Sequence, residues 1–120
     1  YRQREDGGLN RSTTALSFQC IVLQLPKVDS DMDVELKVSK RSDPNTIAGA
    51  IAGKCREHLR VGIQSIGPVC TVRAVSAIAI ARRYLVNDGQ DLRFRPEFIS
   101  CEFEEGSCMG LRLSILQMQV

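Results

Sequence analysis

The stretch from Val34 to Ala81, VELKVSKRSDPNTIAGAIAGKCREHLRVGIQSIGPVCTVRAVSAIAIA, most narrows what this chain can fold into. It reads in turn as strand, basic turn, helix, strand, helix. Val34, Leu36 and Val38 alternate with Glu35 and Lys37, the period of a strand with one buried face. Asp43 is a good N-cap, and Pro44 suits the first helical position, where its missing N–H has no intrahelical partner to lose. Ile47, Ile51, Cys55 and Leu59 recur every four residues. That spacing predicts a helix from Pro44 to around Leu59 with these residues as its core stripe. Ala48, Gly49, Ala52 and Gly53 form a second face. A helix-interior glycine costs about 0.5–1 kcal/mol relative to Ala, so two of them predict that the sheet packs close against this face. Val61–Ile66 is short and β-branched, as expected of a central strand. Gly67-Pro68 opens the second helix. Val72, Val75, Ile78, Ala79 and Leu85 are expected on its inner face, with Arg73, Ala77, Ile80 and Tyr84 on another.

Asn87-Asp88-Gly89 signals a turn. Leu92 and Phe94 then alternate with Arg93 and Arg95, Pro96 interrupts, and Ile99, Cys101 and Phe103 continue in the opposite phase. An edge strand with a bulge accounts for that switch. Glu104-Glu105-Gly106-Ser107 reads as a hairpin tip, and Leu111, Leu113 and Ile115 as a last strand reaching towards Val120. Upstream, Tyr1–Thr14 is polar and aperiodic, a flexible lead-in. Over residues 15–25, Leu16, Phe18, Cys20 and Val22 alternate with Ser17, Gln19 and Ile21, an optional extra strand. The expected order is β-α-β-α-β-β. The fold class is α/β in the broad sense, an α+β two-layer sandwich with right-handed crossovers and both helices on one sheet face. Residues 1–32 are an extension and residues 33–120 the domain.

A chain of 120 residues that is 43% apolar suits one domain. No apolar run nears the roughly 20 residues that span a bilayer, so no membrane role is expected. The N-terminus has no basic-then-apolar signal pattern, and Tyr1 in place of Met reads as trimming. The five cysteines are odd in number and contain no C-x-x-C, which points to a reduced, intracellular protein, cytoplasmic or in the nucleoid or nucleus. Cys101 and Cys108 flank the hairpin and lie within reach of each other, although two free thiols is the simpler reading. His58 is the only histidine and no metal-ligand spacing exists. No phosphate-loop motif occurs, and Glu104-Glu105 at a hairpin tip is a poor place for shifted carboxylates. No catalytic, metal or cofactor site is expected, and the chain reads as a non-enzyme.

The charge pattern says more than the net charge. The total is +2, but residues 33–100 carry +4 and residues 101–120 carry −2. Ser39, Lys40, Arg41 and Ser42 stand immediately before the first helix, and the backbone N–H groups around Asn45 complete a candidate anion site. A solvated Lys-Arg loop gives the same pattern. Arg73, near the start of the second helix, and Arg93 and Arg95, on one strand face, are further candidates for a phosphate backbone. Arg82 and Arg83 suit the C-terminal helix dipole. Ala77, Ile80 and Tyr84 mark an outer stripe for a protein partner.

Several stretches closely resemble the stage V sporulation protein S family, which is part of the Alba-like superfamily: Leu36–Ser39, Pro44-Asn45, Ala48–Gly53, Ile63–Gly67, Ala74-Val75 with Ala77–Arg82, and Asp91–Phe98 with its Pro96. The resemblance covers about Val34 to Gln117. It implies an Alba-like fold, pairing as a homodimer or within a larger assembly, and binding of DNA or RNA through the basic turn that Lys40 and Arg41 occupy. Two positions depart from the pattern. The hairpin reads Glu102-Phe103-Glu104-Glu105-Gly106 where Alba proteins are commonly basic, and Ser76 stands where the family implies a Lys. Two functions follow: a dimeric backbone-reading nucleic-acid module, or a scaffold component that kept the fold with little nucleic-acid binding.

Overall fold

Alternation, capping and turn residues produce six principal elements. They are β1 (Val34–Val38), α1 (Pro44–Arg56), β2 (Val61–Ser65), α2 (Pro68–Leu85), β3 (Gln90–Phe103) and β4 (Gly106–Gln119), with a 3₁₀ turn at Val86–Asp88 before β3. The computed structural model describes residues 15–20, 32–103 and 106–119. The sheet order is β1-β2-β4-β3. β1 and β2 are parallel, as a strand–helix–strand unit requires, while β2–β4 and β3–β4 are antiparallel. Both helices cover one face, which gives the two-layer α+β sandwich.

Register explains which residues face the helices. Leu36 pairs with Ile63, and Ile63 with Leu113. One row on, Val38, Ser65, Leu111 and Phe98 follow across all four strands. Val61, Ile63, Leu92, Leu113 and Ile115 from the sheet meet Ile51 and Cys55 of α1 and Ile78 and Leu85 of α2 in one core. α1 packs chiefly against α2. The alanines buried on the two helices, Ala48 and Ala52 on one and Ala74, Ala77 and Ala81 on the other, are each at most 1% exposed. Such small side chains let helix axes lie close.

Close packing therefore falls on the alanines and not on the glycines. Gly49 and Gly53 are exposed, and a Cβ built at either meets nothing within 4 Å. The expectation that the sheet crowds them is overturned. α1 also stops at Arg56, so Leu59 lies outside its stripe. His58 ends the helix in the left-handed region at φ 60. Its N–H donates to Cys55 O at 2.9 Å, and Leu59 N–H donates to Lys54 O at 3.1 Å, a Schellman cap with His where Gly is usual. On α2 the inner face is Cys70, Ala74, Ala77, Ile78, Ala81 and Leu85. Val72 and Ala79, expected inside, are exposed, and Val75 is half-buried. Ala77, expected on an outer stripe, is fully buried.

β3 and β4 pair without interruption from Gln90↔Gln119 to Phe103↔Gly106, so there is no bulge at Pro96. Phe98 stays in phase with Leu92 and Phe94 and is 77% exposed because it lies at the margin of the helical cover. The pairing of β2 with β4 reaches only Leu111. Beyond it, among the described residues, β3 and β4 continue as a two-stranded arm of about 15–17 Å at 3.3 Å per residue. Residues 15–20 form no strand, and the remainder of the optional strand lies outside the described residues. Phe18 packs edge-to-face on Phe94, with ring centroids 6.2 Å apart.

Candidate nucleic-acid interface

The turn after β1 is held by its own serines. Ser42 N–H donates to Ser39 O at 3.2 Å and Ser39 N–H to Ser42 Oγ at 2.9 Å. The two hydroxyls lie 3.1 Å apart, and Arg41 N–H reaches Ser39 Oγ at 3.3 Å. Asp43 then caps α1 by accepting Asn45 N–H at 3.0 Å. With the turn tied on both sides, Lys40 and Arg41 project from it exposed. Among the described residues neither forms an ion pair.

Arg73 joins this loop from α2. Its Nη1 donates to Ser42 O at 3.0 Å, and it is half-buried, not on the open side of the helix. Its Nε is buried and has no hydrogen-bond partner among the described residues. β1 and β2 are parallel, so the loop after β1 and the start of α2 after β2 lie at the same end of the sheet. Gly67 makes that second turn at φ 88, a conformation that favours glycine. The start of α1, the start of α2, Lys40, Arg41 and Arg73 thus collect at one end, where helix dipoles and cations act together on an anion.

Arg93 and Arg95 do not join them. They alternate with Leu92 and Phe94, so they occupy the sheet face away from the helices, and both are half-buried. Arg95 pairs in register with Ser114, and Arg93 with Leu116, deeper along the sheet. The same face carries a network that sequence reading missed. Arg112 binds Glu35 at 2.9 Å and Glu97 at 3.1 Å, and Gln64 bonds to Glu35. The signal was one Arg centred among carboxylates on neighbouring strands, which is legible only once register is known. Arg82 reaches Asp91 at 2.6 Å. That bond is the main reason the Asp91 carboxyl is held below its ordinary value. Burial pushes the Cys55 thiol up, so it stays protonated and unreactive. His58 is exposed beyond the end of α1.

A second surface is apolar. Val69, Val72, Phe98 and Met109 are exposed, and Tyr84 is 43% exposed at the other end of α2. Ile80 is half-buried against the core. An open cleft of about 380 Å³ lies between the start of α2 and the base of the arm, lined by Pro68, Val72, Phe98, Met109 and Leu111 among others. Phe98 was legible in principle, since it keeps the phase of Phe94 across Pro96. Glu104 and Glu105 of the acidic hairpin lie outside the described residues. Among the described residues no group of three or more His, Cys, Asp or Glu is placed to hold a metal ion, and no helix is long and apolar enough to cross a membrane.

Two comparisons bear on this arrangement. The chain is similar in structure to Alba from Thermoplasma volcanium, with a TM-score of 0.51 and 16% sequence identity, over 71% of this chain and 99% of that one. At this identity the likeness is one of fold, and the fold is Alba-like. A model of the Stage V sporulation protein S family matches residues 34–118. That match runs from the first residue of β1 almost to the end of β4, and the chain belongs to the Stage V sporulation protein S family.

Proposed function

We propose that this protein is a non-catalytic nucleic-acid-binding module that grips the phosphate backbone with the Ser39–Asn45 loop and works as a homodimer. The observation that carries the reading is the meeting of Lys40, Arg41 and Arg73 with the start of α1 at one end of the sheet. Phosphate oxygens accept hydrogen bonds from cations, hydroxyls and free helix N–H groups, and such contacts position a protein without reading sequence. Ser39 and Asn45 flank the cations, while Arg93 and Arg95 contribute to the long-range field from the other face. The Alba-like fold and the dimeric, DNA- or RNA-binding habit that the sequence resemblance implies support the same reading. Residues 33–120 are the binding module and residues 1–32 an extension. Cys55 and Cys70 are buried free thiols, which supports a reducing, intracellular setting.

A second reading has its own observation. Val69, Val72, Phe98 and Met109 form an apolar surface with Ile80 and Tyr84 further along α2. That surface suits a protein neighbour, either a second copy in the dimer or a component of a larger scaffold.

Charge reversal tests the first reading. Lys40→Glu with Arg41→Glu is expected to abolish binding to a 20-base-pair duplex and to single-stranded RNA, with an unaltered circular dichroism spectrum. Binding at the unmodified affinity in that variant refutes the anion site and leaves the scaffold reading.

A further inference from the structure

The projecting arm holds a pair of residues that the anion site does not use. Antiparallel register sets Cys101 directly opposite Cys108. Directly opposed residues in an antiparallel pair have Cα atoms about 4.5 or 5.5 Å apart. Both spacings fall within the roughly 4.4–6.8 Å between the Cα atoms of a disulfide. Cys108 is exposed. Cys108 is one step out of phase with Met109, which lines the apolar cleft, so a partner seated in that cleft lies on the other face of β4 from Cys108. The other described cysteines have no such neighbour in register: Cys55 and Cys70 are buried on α1 and α2, and Cys20 lies in the non-strand stretch 15–20. Among the described residues no third strand pairs with the arm past Leu111. A two-stranded ribbon is marginally stable alone, so a cross-link there acts on a segment that, among the described residues, only β3–β4 pairing fixes.

We propose that Cys101 and Cys108 are a reversible redox pair, two thiols under reducing conditions and a cross-strand disulfide in the presence of a small-molecule disulfide such as oxidised glutathione. One cysteine thiolate attacks the glutathione S–S bond, which breaks and releases one glutathione. The other cysteine thiolate then attacks the protein sulfur of that mixed disulfide and releases the second. The protein gives up two electrons and two protons, and glutathione disulfide takes both. The bond ties the two strands of the arm and stiffens it relative to the sheet.

The test uses the full chain incubated with oxidised glutathione, blocked with iodoacetamide and digested with a protease that cuts after glutamate. Glu102, Glu104 and Glu105 separate the two cysteines in sequence, so the digest distinguishes a cross-link from two modified thiols. The expected result is a Cys101 peptide joined to a Cys108 peptide, with a mass about 2 Da below their sum, that separates on reduction. Amide exchange across residues 100–109 is expected to slow by about tenfold on oxidation. Two singly alkylated peptides, or two glutathione adducts, overturn the pairing, and unchanged exchange in the oxidised protein overturns the stiffening. Cys101→Ser and Cys108→Ser guard against a folding artefact. Each is expected to keep the urea midpoint of the reduced protein, lose the cross-link and trap the remaining thiol as a glutathione adduct; a cross-link from either variant to Cys20 at the original rate refutes the proposal.

Discussion

Ala52 and Gly53 are neighbours in sequence, yet enlarging them is expected to move stability in opposite directions. Ala52 is 1% exposed, among the alanines buried on α1 and α2. Leucine there adds three carbons to a site with no room, and overpacking of this kind costs about 1–3 kcal/mol. Gly53 is exposed, and an added Cβ meets nothing within 4 Å. Its replacement by Ala keeps every contact and removes the helical penalty of glycine, a gain of about 0.5–1 kcal/mol. With a urea dependence of about 1.5 kcal/mol per molar for a domain of this size, Gly53→Ala raises the midpoint by about 0.3–0.7 M and Ala52→Leu lowers it by about 0.7–2 M. Equilibrium urea unfolding followed by circular dichroism reads both. The reasoning fails if Gly53→Ala lowers the midpoint, which requires a neighbour packed on that face. It fails equally if Ala52→Leu leaves the midpoint where it was.

Other perturbations probe separate parts of the account. Arg73→Met removes the donor to Ser42 O and with it about 1 kcal/mol of loop positioning, so affinity for nucleic acid is expected to fall about fivefold with the fold intact; unchanged affinity detaches Arg73 from the site. Asp91 has a lowered pKa in the folded state, so its contribution is fully present above its ordinary value of 3.8 and is lost as pH falls below it. The stability gap between the unmodified protein and Arg82→Gln should therefore shrink on acidification below that value, and urea midpoints that keep a constant gap contradict the pairing. Arg112→Met leaves Glu35 and Glu97 without their shared cation and is expected to destabilise by about 1–2 kcal/mol after allowance for solvent screening; an unchanged midpoint means that solvent already screens the network.

Much of the fold was legible because local chemistry and burial agreed. The alternation in Val34–Val38, the Asp43-Pro44 cap and the Gly67-Pro68 start each appear where the sequence placed them. Faces were harder than elements. On helices full of alanine every stripe looks apolar, so periodicity assigns Val72 and Ala79 to the inner face of α2, while helix-on-helix packing buries Ala77 instead. Periodicity marks an amphipathic face without saying whether a sheet or a second helix lies against it, which is why it does not place Gly49 and Gly53. Of the candidate site, Lys40 and Arg41 were legible from their position before a capped helix. The bridge from Arg73 to Ser42 spans 31 residues and depends on the parallel pairing of β1 and β2. The separation of Arg93 and Arg95 from the loop follows from the continuous register of β3 and β4, which Pro96 had obscured.

The most direct test of backbone binding at the loop is its salt dependence. Binding to a random duplex is titrated with sodium chloride for the unmodified protein and for Lys40→Ala with Arg41→Ala, with the mass of the protein recorded alongside. Two to three phosphate contacts per protomer predict a slope of log affinity against log salt of about −2 to −3 per protomer, and removal of two cations should flatten it by close to 2. An identical slope in both proteins, or no binding at low salt, contradicts the central claim and passes the function to the apolar surface of α2 and the arm.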